Sequence, residues 1–534
     1  MVLPKWPYRK VQYRVVFRAI TGRHPDADIN MPKHAGGAMF PLLTGPGAEA
    51  LSLRDQIYKT CLAAIVDGRL ADGARLPSAR QLAMDWRISR NTVDDAIARL
   101  QSEGFLVRRV GDGTFVSAPT RVVQRAPAKL RRPSALGREA LGGVSAWGRS
   151  ATSAHAPNSA PRAEAFLAGL PALDEFPLAL WRRLVARRLR ASGGGLLGYF
   201  PSLGHGPLRE ATARHLASTR GIACEPAQVM ILNSSMQAVD LIARVLLERG
   251  DAAWIEDPCF PNLRSVLSVS GARIVPVPVD ALGIAIDDGA HRGAPALVYV
   301  TPSCQYPTGV TLSLERRLAL LRRAEACGAW VIEDDYQSEF TYTGHPVASI
   351  HSLDRSERTL YIGTFTNSVF PSLRLAYVVL PAPLVPVFEA VRRQLDDHTH
   401  GAMQAVLADF MDGGHFNAHL RRMRSLYHGR RDALVAACRR FLPETAVLGP
   451  ATSGMNVALE LPDGDVDTVV AARAAAAGLS VLPLSRYASR AQPRNGLLLG
   501  YTALTDRRIA AGVSRLAGVI DGRPIAGHAR PLDS

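Results

Sequence analysis

The sequence predicts two folded domains of different class: a small winged helix-turn-helix followed by a larger α/β domain with a mostly parallel sheet. Three observations carry this. The first 160 residues hold 24 of the basic side chains against 12 acidic ones, about +12 of a total formal charge of +16. Between Leu53 and Ala118 three helical periodicities precede two short β-rich runs. From about residue 160 onward, helical patterns alternate with short apolar runs over some 370 residues, the signature of strands wrapped by helices on both faces.

In the first domain, Leu53, Ile57, Cys61 and Ile65 recur every four positions and mark an amphipathic helix that stops near Gly68. Ser78 and Gln81 have capping-box spacing and open a short helix carrying Leu82. Ser89 caps a third helix, RNTVDDAIARLQSE, whose buried stripe is Val93, Ile97 and Leu100. The runs FLVRRV and TFVSA follow, separated by Gly111, Asp112 and Gly113 as a hairpin turn. A basic domain of this shape implies a nucleic-acid partner, although a basic composition alone also suits a solvated surface.

In the second domain, ATARHLAST and VDLIARVLLERG read as helices, and AAWIED, RIVPVPV, ALVYVTP and WVIEDD as strands. Polar motifs fall just after the strand-like runs, where open α/β sheets place ligands. Residues 1–48 lack sustained periodicity and form a poorly ordered extension, with Met39 an alternative start. The domains are expected at 49–117 and 161–522, joined by a flexible basic linker at 118–160 and followed by a tail at 523–534. Cys61, Cys224, Cys259, Cys304, Cys327 and Cys438 show neither CxxC pairing nor metal-ligand spacing, which predicts no metal, no disulfides and a cytoplasmic location. Charged residues interrupt the start of the chain and no apolar run is long enough for a membrane span, so a soluble, unexported protein is expected.

The string LPSARQLAMDWRISRNTVDDAIARLQSEGFLVRRVGDGTFVSA closely resembles the winged-helix domain of GntR-type bacterial repressors, with the LPSxR entry, the SRNTV helix start and the GxGTFV wing in order. The resemblance implies a double-stranded DNA operator contacted by Arg80, Ser89, Arg90, Asn91, Thr92, Arg109 and Gly111, with Arg90 the strongest base contact. Ser78 and Ser89 also read simply as helix caps. Trp86-Arg87-Ile88 departs from the small or glycine turn of many relatives.

From about residue 163 to 520, GYFPSLGHGPLREA, EDPCFPN, VYVTPSCQYPTGVTLS, VIEDDYQSEF and GTFTNSVFPSLRLAYVVLP resemble fold-type I pyridoxal-phosphate-dependent aminotransferases. Joined to a GntR-like domain, they identify the chain as a member of the MocR subfamily of bacterial transcription regulators. The resemblance implies a homodimer and a cofactor pocket. Asp334 falls opposite the pyridine nitrogen, Tyr336 at the ring hydroxyl and Phe260 over the ring face. Ser234, Ser235, Met236, Thr364 and Arg374 fall at the phosphate, with Tyr199 reaching it from the neighbouring subunit, and Arg486 matches a candidate for an effector carboxylate. Taken singly, Asp334 also reads as a strand-end acid, Phe260 as core and Arg374 as half of an ion pair.

The family's Schiff-base lysine is replaced by Asn367, and no lysine occurs from Leu130 to Ser534. An amide nitrogen is neither a nucleophile nor a base. No catalytic residue is therefore expected, and pyridoxal 5'-phosphate, if bound, is held non-covalently. Ser234-Ser235-Met236 also replaces a pattern that usually contains glycine, and Cys304 stands where many relatives have histidine. The expected function is a DNA-binding regulator that senses a small molecule: the cofactor, its amino-acid adduct or an amino acid. The alternatives are an aminotransferase with a regulatory appendage and a ligand-free dimerisation scaffold.

Overall fold

A computed structural model describes residues 51–117, 143–145, 147–148, 165–191, 195–286, 293–342, 347–489 and 494–522. The N-terminal extension, most of the linker and the tail lie outside the described residues. The chain divides into two compact units, residues 1–140 and 141–534.

The first unit follows its serine caps. Helix α1 (Leu53–Val66) starts where the Ser52 hydroxyl accepts the Asp55 amide. A two-residue strand β1 (Arg75–Leu76) precedes α2 (Ala79–Trp86), capped by Ser78, and α3 (Arg90–Ser102), capped by Ser89. Strands β2 (Leu106–Arg109) and β3 (Gly113–Val116) form the antiparallel wing, and β1 adds to the far edge of β3. That third strand was not expected, because two residues carry no readable alternation. Ile57, Cys61, Leu82, Val93, Ile97, Leu100, Leu106 and Val116 close one core.

The second unit begins its regular structure with α4 (Leu178–Ala191) and α5 (Gly206–Arg220). Strand β4 (Val229–Leu232) leads to α6 (Ser235–Leu246), β5 (Ala252–Asp257), α7 (Pro261–Val269), β6 (Arg273–Asp280) and β7 (Gly283–Ile284). Then come β8 (Leu297–Val300), α8 (Leu314–Cys327), β9 (Trp330–Asp335), the short α9 (Ile350–Leu353), β10 (Thr359–Thr364) and β11 (Ala376–Val379). These strands make an eight-stranded sheet ordered β4-β11-β10-β9-β8-β5-β6-β7. The central pairings β10/β9, β9/β8, β8/β5 and β5/β6 are parallel, and only those of β11 and β7 are antiparallel.

Alternation sends successive side chains of β4 to opposite faces, and both faces are covered. Val229 and Ile231 join one apolar cluster and Met230 and Leu232 another. That double burial is why these strands read as unbroken apolar runs. Helices α10 (Val385–Leu395), α11 (Gly401–Asp412) and α12 (His415–Phe441) follow. A second, four-stranded antiparallel sheet then forms from β12 (Val447–Leu448), β13 (Asn456–Glu460), β14 (Leu482–Pro483) and β15 (Gly496–Gly500), with α13 (Asp467–Ala476) and α14 (Asp506–Ile520).

The stretch read as linker is engaged before residue 160. The Trp147 indole donates to the Ser265 carbonyl on α7 at 3.1 Å. Among the described residues, no helix is long and apolar enough to cross a membrane and no metal-ligand cluster occurs.

Candidate cofactor cavity and nucleic-acid interface

In the first unit, the N-terminus of α3 is built by Ser89, whose hydroxyl accepts the Thr92 amide at 3.2 Å and lies 2.9 Å from the Thr92 hydroxyl. Arg90 and Asn91 follow in the first turn and are exposed. The Arg90 guanidinium meets Asp94 at 3.4 Å, a pair exposed on both sides. Such a pair contributes about 0.3–0.5 kcal/mol, so Arg90 leaves it readily for a better partner. Arg80 projects from α2 into solvent. Arg109 stacks 4.6 Å from the Phe115 ring centroid across the wing, which restrains a side chain otherwise exposed. Gly111, at the wing tip, has φ +79°, a backbone that a side chain would strain. Arg87 occupies the left-handed region at φ 55° and reverses the chain between α2 and α3, so the turn forms without glycine.

In the second unit, a cavity of about 430 Å³ opens at the C-terminal ends of β5, β8 and β9. Nine of the ten residues expected to hold a cofactor line it: Ser234, Ser235, Met236, Phe260, Asp334, Tyr336, Thr364, Asn367 and Arg374. Tyr199 does not. It is 93% exposed, outside this chain's cavity wall. Arg486 is exposed and also absent from the wall, although its charge acts on the phenol of Tyr306, which does line the cavity.

Asp334 sits at the floor. The Tyr299 hydroxyl donates to its Oδ2 at 2.5 Å, and its Oδ1, buried, has no hydrogen-bond partner. Burial pushes its carboxyl up to about 7 against the pull of Tyr299, and the neighbouring Asp335 carboxylate pushes the same way. Glu256, also buried in the wall, is raised to about 7 by desolvation even though Thr301 donates to it at 2.6 Å. A floor with one unpartnered carboxylate oxygen is suited to an N–H donor arriving from the cavity.

The opposite end has the reverse character. Ser234 caps α6 by accepting the Gln237 amide, so Ser235 and Met236 begin a 12-residue helix whose amide end faces the cavity. Arg374, also left-handed at φ 52°, makes no ion pair among the described residues. The Thr364 hydroxyl lies 2.9 Å from that of Thr366 and accepts the Thr366 amide. Helix amides, hydroxyls and an arginine together suit a phosphate. Phe260 stands edge-on to Tyr306 at 5.7 Å, giving the cavity an aromatic wall. Asn367 spends one amide hydrogen on the Tyr336 carbonyl at 3.0 Å. The Tyr336 phenol is pushed well above its ordinary value by burial first, with the Cys304 thiol beside it.

Tyr299, Glu256, Thr301, Tyr306 and Asn456 also line the cavity and were not singled out from the sequence. Glu256 and Tyr299 interrupt strands buried on both faces, and a polar side chain there is the signal that could have found them.

Fold and sites together define a class: a winged helix-turn-helix joined to a fold-type I aminotransferase domain. The family model for gntR bacterial regulatory proteins matches residues 53–116, and that for class I and II aminotransferases matches residues 172–483. The chain is 36% identical to the probable rhizopine catabolism regulatory protein MocR of Rhizobium meliloti, over 90% of this chain and 95% of that protein. It is 33% identical to the HTH-type transcriptional regulator TauR of Rhodobacter capsulatus, over 88% of this chain and 97% of that one. Kynurenine aminotransferase of Pyrococcus horikoshii, solved in complex with PMP, superimposes with a TM-score of 0.64 at 27% identity, covering 72% of this chain and 96% of the enzyme. The chain belongs to the MocR-type family of DNA-binding transcriptional regulators with an aminotransferase-like domain.

Proposed function

We propose that this regulator binds pyridoxal 5'-phosphate, or a close relative of it, reversibly in the cavity of its second domain, and that it is not an enzyme. The observation that carries the reading is the pairing of an unpartnered Asp334 oxygen with Asn367 in one wall. When bound, such a group supplies an electron-withdrawing pyridine ring. Asp334 would accept a hydrogen bond from the protonated ring nitrogen, which would satisfy the orphaned oxygen and favour the ionised carboxylate. The α6 amides and Arg374 would hold the phosphate, Thr364 would add a hydroxyl, and Phe260 would supply an aromatic wall for the ring.

Asn367 stands where the family's lysine is expected. Its amide is tied to the Tyr336 carbonyl and can neither attack a carbonyl carbon nor carry a proton to and from substrate. Binding without chemistry is what a sensor requires. In a homodimer, the partner's copy of Tyr199 would complete the phosphate end, two α3 helices would meet paired half-sites, and Arg486 remains a candidate for an effector carboxylate. At the start of each α3, Arg90 and Asn91 read base edges while Ser89 and Thr92 there, Arg80 on α2, and Arg109 and the Gly111 backbone in the wing engage phosphates.

The test is an absorption titration of pyridoxal phosphate into the purified protein and its Asn367→Lys variant, followed by borohydride reduction and peptide mapping. Wild type should be stabilised thermally, release the ligand on dialysis and gain no mass in the peptide holding residue 367. Asn367→Lys should gain the visible band of a lysine-linked cofactor and a permanent mass at that residue. No binding by either protein contradicts the reading and favours a ligand-free scaffold. Transamination by wild type contradicts it in favour of an enzyme.

A further inference from the structure

A second cavity, of about 400 Å³, lies behind the sheet between α5, α12 and the segment Ser338–Tyr342. It belongs to the opposite face from the cofactor cavity. Adjacent residues of β9 point to opposite faces, so Asp334 enters the first cavity while Asp335 accepts the Tyr361 hydroxyl at 2.7 Å and pairs with Arg220 at 2.8 Å behind it. Arg220 and Tyr361 line the second cavity.

This cavity is polar and incompletely satisfied. Tyr377, only 4% exposed, lines it and brings a phenol to its wall. The Arg220 Nε is buried without a partner, and so is the Asp335 Oδ1. Leaving such groups unpaired is costly, and a ligand or water that pairs with them relieves that cost. Gly363 makes room for the Tyr377 ring: a Cβ there would lie 2.3 Å from Tyr377 Cζ, so only glycine admits the ring across β10.

The charges are ordered. Arg220 is neutralised by Asp335, and burial holds His215 down to about 4, so that imidazole is uncharged near neutrality. Arg421 has no ion pair among the described residues, and Arg424 is positioned by its Nε donating to the Glu339 carbonyl at 2.8 Å. The Glu339 carboxyl lines the same cavity; burial, and then the Asp335 charge, push it up to about 7 against the pull of Arg220 and Arg424. A cation placed beside Glu339 and an anion beside the two arginines would relieve both ends.

We propose that this cavity is a second ligand site that takes a free amino acid, its carboxylate on Arg421 and Arg424, its ammonium on Glu339 and its side chain toward Tyr377. The volume suits a small ligand. The inference rests on this cavity alone and stands whether or not pyridoxal phosphate binds in front of the sheet.

The test uses full-length protein without added pyridoxal phosphate. Each of the proteinogenic L-amino acids is added singly at about 10 mM, with thermal unfolding and calorimetric titration as readouts. At least one amino acid should raise the midpoint by about 3–5 °C, as expected for a ligand well above its dissociation constant. Arg421→Ala, an exposed change, should weaken that binding at least about tenfold, and Tyr377→Phe about five- to tenfold. Arg374→Ala, in the other cavity, should leave it unchanged. No stabilisation by any amino acid overturns the proposal and leaves the cavity to water. Binding that survives Arg421→Ala, or falls as far in Arg374→Ala, also overturns it, the latter placing the amino acid in front of the sheet.

Discussion

Replacing Asp334 by asparagine should make the ligand-free protein more stable at pH 8 while it weakens pyridoxal phosphate binding. In the unfolded chain this carboxyl titrates near its ordinary 3.8, whereas in the fold burial holds it up to about 7. Below 3.8 both states are protonated and the residue costs nothing. As the pH rises through that value the unfolded chain ionises first, and the penalty on the fold grows until the native carboxyl ionises near 7. A rise of that size corresponds to a ceiling of about 4 kcal/mol, and relaxation of the cavity and entry of water reduce it to about 2–3 kcal/mol. The substituted amide would accept the Tyr299 hydroxyl as the carboxylate does, without a charge. Thermal unfolding of ligand-stripped protein should therefore show the variant about 5 °C above wild type at pH 8 and level with it near pH 4. Comparison of the two proteins isolates Asp334 from Glu256, Glu333 and Glu339, which are also raised to about 7 and give wild type a similar slope of their own. Loss of the charged acceptor should weaken pyridoxal phosphate binding by about ten- to a hundredfold. A variant less stable than wild type at pH 8, or one that binds the ligand equally well, would refute the reasoning.

Two further outcomes follow from the structure. Arg90→Ala should cost about 1–3 kcal/mol on the specific operator and much less on bulk DNA, measured by fluorescence anisotropy at fixed salt; equal losses would make Arg90 a phosphate contact instead. Gly363→Ala should destabilise the second domain by about 1–3 kcal/mol in thermal unfolding because its methyl displaces the Tyr377 ring, and an unchanged midpoint would show that the ring moves at no cost.

The parts of this molecule most legible in sequence are those set by local chemistry. Ser78 and Ser89, read as caps from two or three residues, each accept an amide at the start of a helix, and the structure adds the same role for Ser52, Ser234 and Ser313. The large sheet was visible because doubly buried strands carry apolar runs, as in Leu297–Val300 and in Trp330, Val331 and Ile332 before the acids that end their strand. Strand β1 and the four-stranded sheet were not, since Arg75–Leu76 and Leu482–Pro483 acquire strand character only from partners distant in sequence. For the cavity, Phe260, Asp334, Asn367 and Arg374 were reachable through motif order. Tyr299 was not, because its importance lies in a hydrogen bond across 35 residues to Asp334. The unpaired state of Asp334 Oδ1 likewise exists only once the strands are assembled.

The measurement that bears most directly on a ligand-sensing regulator is operator affinity with and without saturating pyridoxal phosphate, in wild type and in Arg374→Ala. Coupling between two sites is reciprocal, so a ligand that reports to DNA must change operator affinity, typically by about 5–150-fold, and operator must change ligand affinity by the same factor. Wild type should show that shift and Arg374→Ala, lacking the phosphate cation, should lose it while keeping its ligand-free operator affinity. An operator affinity indifferent to pyridoxal phosphate in wild type, under conditions where the ligand is demonstrably bound, would contradict it.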